Sequence, residues 1–524
     1  MRRFLVTLLA VVALGVVKAQ EQTSPSVQFQ KLVRVCQYLS RIYVDEVDME
    51  PLTEAAIRAM LEELDPHSAY IDRETMSGVK EEFDGEYSGI GIEFGILRDT
   101  LHVVNCIAGG PAERVGVLPN DRIVRIDTTS AVGIKQHAVP KLLRGKRGSK
   151  VEIAVSRVGE QDLLHFVLTR DRIPLNTVDC AYMASQTAGY IKINRFGRTT
   201  YEEFLAAYHR LNAPQELILD LRGNGGGLLD QAIRIAGFFL PKNTVVVSTE
   251  GRAIPSSSFR TQCEGANRKG RLVVLIDENS ASASEIVSGA IQDWDRGVIV
   301  GAPSFGKGLV QRQIELGDGS AVRITMARYH TPSGRVIQRP YEKGKRKEYY
   351  MNHLSRTDAA DTLDTSLPLY HTLVNHRPVY GGGGIRPDVR IASDTSGYTK
   401  FFGELMRRGV LNEFVVELID RDRERVEREY PGVEDFVERF AVDDALLDAL
   451  CCFAEGRKVK TDPEELAASR KWIATRIRAL VAQRIYGVEG FYRVMNHDDD
   501  RYFKEAFDLF RNWTDRAEKL LQGR

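Results

Sequence analysis

The sequence predicts an α/β fold with a mixed sheet, in a chain that also carries a smaller β-rich domain and helical regions at both ends. Three observations support this prediction. Buried strands alternate with amphipathic helices through residues 173–395, short strands and turns fill 85–172, and helical periodicity dominates 20–84 and 396–524. A strand-then-helix alternation is typical of a largely parallel sheet covered by helices. Since 524 residues are too many for a single core, several domains are expected.

The composition is that of an ordinary globular protein. Hydrophobic residues make up 43% and charged residues 27%, and 72 basic residues balance 72 acidic ones. A formal charge of zero gives no reason to expect a nucleic-acid partner. The six cysteines are scattered and lack metal-ligand spacing, so they predict neither a metal site nor a disulfide pairing.

The first 19 residues have the organisation of a cleaved secretory signal. Arg2 and Arg3 precede an apolar run over residues 4–17, and residues 17–19 form an A-x-A-like cleavage site. A short membrane anchor is the weaker alternative, because the run is shorter than a membrane span requires. The sequence therefore predicts export to the periplasm and leaves membrane association open.

Both ends of the mature chain are predicted to be helical. Residues 20–84 contain two amphipathic helices, and the second ends near Asp65-Pro66 because proline disfavours a helical residue before it. His67, which follows, is interpreted as a turn residue rather than a catalytic group or metal ligand. The apolar stripes of residues 396–524 predict a partner-binding surface or a bundle packed on the α/β domain, and the bundle is favoured.

A serine-rich segment at a strand end is the candidate reactive site of the α/β domain. The strand Arg271–Ile276 leads into Asn279-Ser-Ala-Ser-Ala-Ser-Glu285 and then into a helix. The carboxyl ends of strands are where α/β proteins place their chemistry. The S-x-x-E spacing also fits a capping box, in which the serine only caps the helix. The candidate nucleophiles are Ser280, Ser282 and Ser284.

A lysine between two glycines supplies a candidate base. Lys307 lies in Phe305-Gly-Lys-Gly308, and a desolvated lysine can stay neutral and take the proton of a serine hydroxyl. A Ser/Lys hydrolase is therefore one hypothesis for the serine segment. Local sequence leaves the capping role as an equally good explanation.

Residues 85–172 resemble a bacterial PDZ domain over their whole length. The resemblance rests on Gly89-Ile-Gly-Ile92, Gly109-Gly-Pro-Ala-Glu-Arg-Val-Gly116 and Asp121-Arg-Ile-Val-Arg-Ile-Asp127. Glycines let successive backbone N–H groups converge on a carboxylate, and a bound peptide would add as a strand beside residues 90–94. The alternative is a simple tight entry into a strand. The predicted site for the peptide C-terminus consists of Gly89, Ile90, Gly91 and Ile92.

Three linked motifs decide between nucleophile and cap. In this order behind the PDZ-like domain, they closely resemble the motifs of the carboxyl-terminal processing proteases, the tail-specific S41-type serine proteases. The motifs are Asp220-Leu-Arg-Gly-Asn-Gly-Gly-Gly227, Asn279-Ser-Ala-Ser-Ala-Ser-Glu-Ile286 and Phe305-Gly-Lys-Gly-Leu-Val-Gln311. Thr331-Pro-Ser-Gly-Arg335 and the segment 383–388 also fit that family, and the resemblance covers about residues 30–392.

The resemblance implies a ClpP/crotonase-like catalytic domain over residues 173–395, with a charged surface insertion at about 340–376. It also implies Ser282 as the nucleophile, Lys307 as the general base and Gln311 as the residue that orients the lysine. Four residues span about 6 Å on a helical turn but about 13 Å along a strand. Gln311 is therefore expected to reach Lys307 through a turn or coil, or else to be mainly a strand residue.

The implied oxyanion hole consists of backbone N–H groups of Ala283 and Gly227, with Gly226 as the close alternative. The glycines beside Lys307 are expected to let it approach the serine without crowding. Ser304 stands where the family more often has threonine, a departure that should not affect the mechanism.

The implied protein is an exported serine endopeptidase that binds protein or peptide substrates by their C-termini. The resemblance implies no cofactor, metal or nucleotide, and a Ser-His-Asp triad is disfavoured because the three motifs contain no histidine. Two other classes fit the sequence less well. Intact Ser282 and Lys307 argue against a catalytically inactive PDZ adaptor, and the signal segment does not suit a crotonase-like acyl-CoA enzyme. A homo-oligomer stays open, and the sequence does not identify the physiological substrate.

Overall fold

The structure is a computed structural model, and the residues it describes are 25–97, 99–107, 109–354, 367–392, 394, 396–498 and 500–523. The predicted signal segment, residues 1–19, lies outside them, as do residues 355–366 of the predicted insertion. The chain divides into two compact units. Of the described residues, the first unit contains 25–72, 313–324 and 341–349, and the second contains the others.

The first unit is built on two helices and a short strand. The strand pairs antiparallel with residues 321–323. Between helix and strand, Asp65 organises a bend by accepting the backbone N–H groups of His67 and Ser68, each at 2.9 Å. An aspartate that bonds its own following backbone in this way is a common turn device. The elements are the helices Pro25–Ile42 and Met49–Glu62 and the strand Ala69–Ile71.

The PDZ-like domain, in the second unit, follows the helix Arg73–Asp84 and is an antiparallel sheet entered and left through a two-stranded ribbon. Apolar residues of its short helices pack with those of the strands in one core. The sheet order places the strand Ile92–Leu97 at an edge. The sheet order is Ile92–Leu97, Thr100–Cys106, Arg122–Ile126, Lys150–Ser156 and Leu164–Thr169, with Thr129–Ser130 beside the third. The ribbon pairs Glu86–Gly89 with Asp171–Pro174, and the short helices are Pro111–Arg114, Gln136–Ala138 and Val139–Leu143.

The predicted α/β fold class is confirmed by a six-stranded mixed sheet in the second unit. Its first two strands are antiparallel, and the remaining neighbours are parallel. Successive side chains of a strand face opposite sides of a sheet. Accordingly, Leu219 and Val274 pack against helices, whereas Ile218 and Val273 belong to a second core on the other face. The strands in order are Val178–Met183, Ala188–Ile193, Glu216–Asp220, Arg271–Ile276, Val298–Gly301 and Val389–Arg390. The helices are Thr200–Arg210, Leu229–Phe239 and Ala283–Asp293.

A buried ion pair fixes the end of the helix Ala283–Asp293. Arg335 donates to Asp293 at 2.6 Å, and both side chains are fully buried. A buried guanidinium requires such a partner, so the Thr331–Arg335 motif holds this helix in place. The remaining strands between residues 245 and 380 are Val245–Glu250, Ser257–Arg260, Leu309–Glu315, Ala321–His330, Leu369–His371 and Pro378–Tyr380, and a further helix is Arg346–Leu354.

The C-terminal region, which we name the helical domain (residues 400–523), has its own apolar core. Its longest helix is interrupted at Gly487, which has a φ of 74°. Phe503, Leu509 and Phe510 pack on the second face of the mixed sheet. In the described part of the chain, no helix combines the length and apolar character needed to cross a membrane. The helices are Lys400–Arg407, Val410–Glu429, Val433–Arg439, Asp444–Gly456, Pro463–Asp498, Arg501–Arg511 and Glu518–Leu521, with a π-helical turn at Trp513–Ala517.

Candidate active site

The three candidate serines lie in different environments. The buried Ser280 hydroxyl donates to the carbonyl of Leu221 at 2.9 Å, and the buried Ser284 hydroxyl donates to the carbonyl of Asn224 at 2.8 Å. Ser282 lies between them and is partly exposed. Ser280 and Ser284 are thus engaged in holding the glycine-rich loop, and Ser282 is the serine that a substrate can reach.

Ser282 occupies a turn of unusual backbone conformation. Its φ of 55° and ψ of −110° lie outside the regions that residues with a Cβ normally adopt. Its backbone N–H donates to Glu285 Oε2 at 2.8 Å, which is one of the two bonds of a capping box. Strained backbone of this kind concentrates at functional sites, and nucleophiles at strand-to-helix turns are an example. Ala283 then begins the helix, so its N–H lies at the positive end of the helix dipole.

The glycine-rich loop packs directly on this turn. A Cβ added to Gly226 would lie 2.7 Å from Ser282 Cβ and 2.9 Å from Ala283 N, so only glycine fits there. The Gly226 N–H donates to the side chain of Asn224 at 2.9 Å. Gly226 therefore brings the loop against the serine, while its own N–H is already engaged.

Gly227 is held differently. A parallel bridge joins it to Phe196 and uses the N–H groups of Phe196 and Leu228, not that of Gly227. A Cβ at Gly227 would lie 2.1 Å from the Phe196 carbonyl oxygen. The bridge therefore fixes the Gly227 peptide and leaves its N–H out of the bridge.

A single carboxylate joins the serine and lysine segments. Glu285 Oε2 accepts the backbone N–H groups of Ser282 at 2.8 Å and of Lys307 at 2.9 Å. Its other oxygen accepts the Gly306 N–H at 2.7 Å and the Ser304 hydroxyl at 2.5 Å. Burial raises the pKa of Glu285, and these hydrogen bonds oppose that rise. The backbones of Ser282 and Lys307 are therefore fixed on the same buried oxygen.

The hydroxyl of Tyr329 makes a second bridge between the two segments. It lies 3.2 Å from the carbonyl oxygen of Ser282 and also contacts the carbonyl oxygen of Lys307. The Tyr329 backbone N–H donates to the Gly308 carbonyl at 3.0 Å. Because a phenol has one proton, the two carbonyls share it, and the tyrosine ties the lysine segment to the serine turn from the carbonyl side.

The glycines beside Lys307 leave space for a neighbouring segment of the chain. A Cβ at Gly306 would lie 2.5 Å from Arg339 Cγ, and one at Gly308 would lie 2.9 Å from Gln338 N. The space that the glycines leave is thus filled by residues 338–339. The glycines therefore allow the lysine segment to pack closely against residues 338–339.

Gln311 is a strand residue, which was the second of the two expectations for it. It lies in the strand Leu309–Glu315, so no helical turn separates it from Lys307. Its side-chain nitrogen is buried and has no hydrogen-bond partner among the residues that the structure describes. The orienting role of Gln311 stays a prediction.

The predicted peptide site of the PDZ-like domain offers backbone rather than side chains. Ile90 and Ile92 are 2% and 7% exposed and belong to the domain core. Gly91 has a φ of 75°, a conformation that suits glycine, and Gly89 ends the ribbon strand. A peptide at this segment would therefore meet backbone groups, next to the edge strand Ile92–Leu97.

The residue pattern did not identify three supporting residues. Glu285 was recognised only as a cap, through the S-x-x-E spacing, although its carboxylate also holds Ser304, Gly306 and Lys307. Asn224 could have been noticed as the polar residue inside the glycine run. Tyr329 has no local signature, since it contacts residues more than twenty positions away.

Replacing Glu285 by glutamine should lower kcat by about 100-fold, because misplacing catalytic groups by about 1 Å has effects of this size. In the wild type, each oxygen of Glu285 accepts at least one backbone N–H group. The glutamine amide keeps only one acceptor oxygen, so in either orientation its NH2 group would face a backbone N–H donor. Steady-state kinetics on a tailed substrate measure the effect. Glu264→Gln, at an exposed carboxylate of the same domain, is the matched control and should behave as wild type. Unchanged kcat in Glu285→Gln would contradict the bridging role.

Family models match four parts of the chain. Peptidase family S41 matches residues 187–343 and the PDZ domain matches 88–166. The N-terminal domain of the activating protease CtpB matches 12–75, and a family of unknown function matches 401–487.

Whole-protein relatives agree with these matches. The chain is 36% identical over 345 residues to the carboxy-terminal-processing protease of Bartonella bacilliformis, covering 64% of this chain and 78% of that protein. It is 35% identical over 328 residues to the carboxy-terminal processing protease CtpB of Bacillus subtilis, covering 61% of this chain and 68% of that protein. Among solved structures, the photosystem II D1 C-terminal processing protease is 25% identical, covering 72% of this chain and 89% of that one, with a TM-score of 0.38. The chain therefore belongs to peptidase family S41, as a carboxy-terminal processing serine protease with a PDZ domain.

Proposed function

We propose that this protease uses a Ser282/Lys307 dyad, captures the C-termini of its substrates through the PDZ domain, and cleaves exported proteins. The observation that carries the proposal is the shared Glu285 carboxylate, which holds the backbones of Ser282 and Lys307 on one oxygen. The shared carboxylate thereby brings together the backbones of two residues that lie 25 positions apart in the sequence.

In the proposed mechanism, neutral Lys307 takes the proton of the Ser282 hydroxyl as the serine oxygen attacks the scissile carbonyl. The tetrahedral intermediate collapses to an acyl-enzyme, and the proton held by Lys307 passes to the leaving amine. Lys307 then deprotonates a water molecule that attacks the ester. The second tetrahedral intermediate releases the new carboxyl terminus and returns the proton to Ser282.

The proposed oxyanion hole consists of the N–H groups of Ala283 and Gly227. Ala283 is favoured by its place at the start of a helix, where the dipole stabilises developing negative charge. Gly227 is favoured over Gly226 because the Gly226 N–H already donates to Asn224. Donors that are fixed before the reaction stabilise the oxyanion most, and the Phe196 bridge supplies such rigidity.

Tail capture is proposed at the edge strand Ile92–Leu97. An edge strand has unpaired backbone groups that an extended peptide can join. The terminal carboxylate would lie at the backbone N–H groups of residues 89–92. Gln311 is retained as the proposed orienting residue for Lys307, through its buried side-chain amide.

Export is proposed from the N-terminal sequence. Arg2 and Arg3 followed by the apolar residues 4–17 have the pattern of a secretory signal, and a periplasmic enzyme acting on exported proteins would follow from it.

The experiment compares one unstructured substrate with a free C-terminal carboxylate and with an amidated C-terminus. Wild-type mature enzyme is expected to cleave the free-tail form with a kcat/KM about 10 to 100 times higher, because charge-assisted hydrogen bonds to a carboxylate contribute on this scale. Ser282→Ala supplies the uncatalysed background. Equal cleavage by the wild type and by Ser282→Ala would refute the protease mechanism. Tail binding by the wild type without cleavage would make the protein a PDZ adaptor. Equal rates on the two tails would refute carboxylate capture.

A further inference from the structure

The PDZ domain and the helical domain are joined by a polar contact that we name the Asp420 cluster: Asp420, Asn120, Arg122 and Arg484. Asp420 lies on the helix Val410–Glu429 and accepts from Asn120 Nδ2 at 3.1 Å and from Arg122 Nη2 at 2.5 Å. Arg484, on a second helix, donates to Asn120 Oδ1 at 3.1 Å. Two helices thus engage the PDZ domain at residues some 300 positions away.

The cluster is more deeply buried than an ordinary surface pair. Asn120 is 8% exposed and the Asp420 side chain 13%, and burial lowers the pKa of Arg484 to about 10. Burying such charges is unfavourable unless each has a partner, and here the partners are present on both domains. Asn120 is also suited to its position, because its φ of 74° is a conformation that asparagine tolerates better than most residues.

The helical domain is also attached to the catalytic domain. Asp500 pairs with Arg222 at 2.7 Å, just before the glycine run that ends at Gly227. Asn496 donates to the hydroxyl of Tyr182 at 2.7 Å, a residue of the mixed sheet. The helical domain therefore bridges the PDZ domain and the loop proposed to supply an oxyanion donor.

The helical domain also contacts Asp179, on the first strand of the mixed sheet. Tyr492 of the helical domain donates to Asp179 at 3.0 Å. Burial raises the pKa of Glu93, which lies on the PDZ edge strand, and the negative charge of Asp179 adds to this rise. A cavity of about 450 Å³ lies here, lined by Asp179, Tyr492 and Gly223 among others. The cavity thus lies between the helical domain and the glycine-rich loop.

We propose that the Asp420 cluster holds the PDZ domain in the orientation that delivers a captured tail to the catalytic domain. The inference rests on the tail capture proposed above. Holding two binding sites at a fixed separation raises the effective concentration of one relative to the other. A substrate bound by its tail gains from that separation, whereas a short peptide that contacts only the catalytic site does not.

The test uses full-length mature enzyme and the variants Asp420→Ala, Arg122→Ala and their double combination. Each single variant should lower kcat/KM for the tailed substrate about tenfold or more, because effective-concentration gains range from 10² to 10⁴. Cleavage of a short amidated peptide should stay within about twofold of wild type. The double variant should be no worse than Asp420→Ala alone, since Asp420→Ala already removes the contact with Arg122.

The matched control is the pair Arg125→Ala and Glu152→Ala. These residues form an exposed ion pair within the PDZ domain at 3.4 Å, so their removal should leave both substrates unaffected. The affinity for a fluorescent tail peptide, measured in the Ser282→Ala background, should be unchanged by the Asp420→Ala substitution. Unchanged affinity would show that the PDZ domain stays folded.

Three outcomes would overturn the inference: additive losses in the double variant, equal losses on both substrates, or an unchanged preference for the tail. The two proposals fail separately. If wild-type enzyme shows no tail preference, tail capture is refuted; if wild type shows it and the variants keep it, only the role of the Asp420 cluster is refuted.

Discussion

Replacing Ser282 by alanine is expected to lower kcat by about 10⁶-fold, the scale seen when a serine nucleophile is removed. The alanine cannot form the acyl-enzyme, and only the residual effect of binding and oxyanion stabilisation persists. Affinity for a tail peptide should be unchanged, because the PDZ site is separate from Ser282. Single-turnover cleavage of a tailed substrate and fluorescence anisotropy of a labelled tail measure the two quantities.

The neighbouring serines provide the matched controls. Ser280→Ala and Ser284→Ala each leave a buried carbonyl without its hydroxyl donor, at Leu221 and at Asn224. Both carbonyls keep a backbone N–H donor, so each variant should lose about 0.5–1.5 kcal/mol of unfolding free energy and keep measurable cleavage. A folded, inactive Ser280→Ala or Ser284→Ala beside an active Ser282→Ala would reassign the nucleophile.

Replacing Lys307 by alanine should lower kcat by about 10⁴-fold, the upper range for loss of a general base. The informative companion is Lys307→Arg. Arginine keeps the positive charge but cannot give up its proton in a protein, so it cannot act as the base. If Lys307 is the base, both variants should be equally inactive; kcat values from steady-state or single-turnover assays measure this.

Lys242→Ala, at an exposed lysine of the same domain, is the control and should cleave at the wild-type rate. Activity retained in Lys307→Arg but lost in Lys307→Ala would mean that the lysine contributes charge rather than proton transfer. Full activity in both would remove Lys307 from the mechanism.

The fold could be predicted from the sequence because it follows local patterns. Buried apolar runs such as Leu217–Leu221 alternate with amphipathic helices, and that alternation suffices to predict a largely parallel sheet. The position of Ser282 after the strand Arg271–Ile276 followed from the same alternation. The attachments of the helical domain did not, because the partners of Asp420 and Asp500 lie in other domains and leave no periodic trace in the sequence.

The motifs around the candidate site are visible in the sequence, whereas the contacts that connect these motifs are not. The S-x-x-E spacing indicated that Glu285 bonds its own turn, which is a contact over three residues. Its bonds to Gly306 and Lys307 depend on how two distant segments meet, and sequence spacing carries no information on that. The same limit applies to Gln311, for which a distance along the chain could not decide between coil and strand.

Because a single buried carboxylate holds both the serine turn and the lysine segment, the two halves of the proposed dyad depend on the same supporting residue. A substitution at Glu285 or Tyr329 loosens both halves together, although neither residue takes part in proton transfer in the proposed mechanism. Inactive relatives could therefore arise with Ser282 and Lys307 intact. The presence of both residues in a sequence is thus weaker evidence for activity than their presence together with Glu285 and Tyr329.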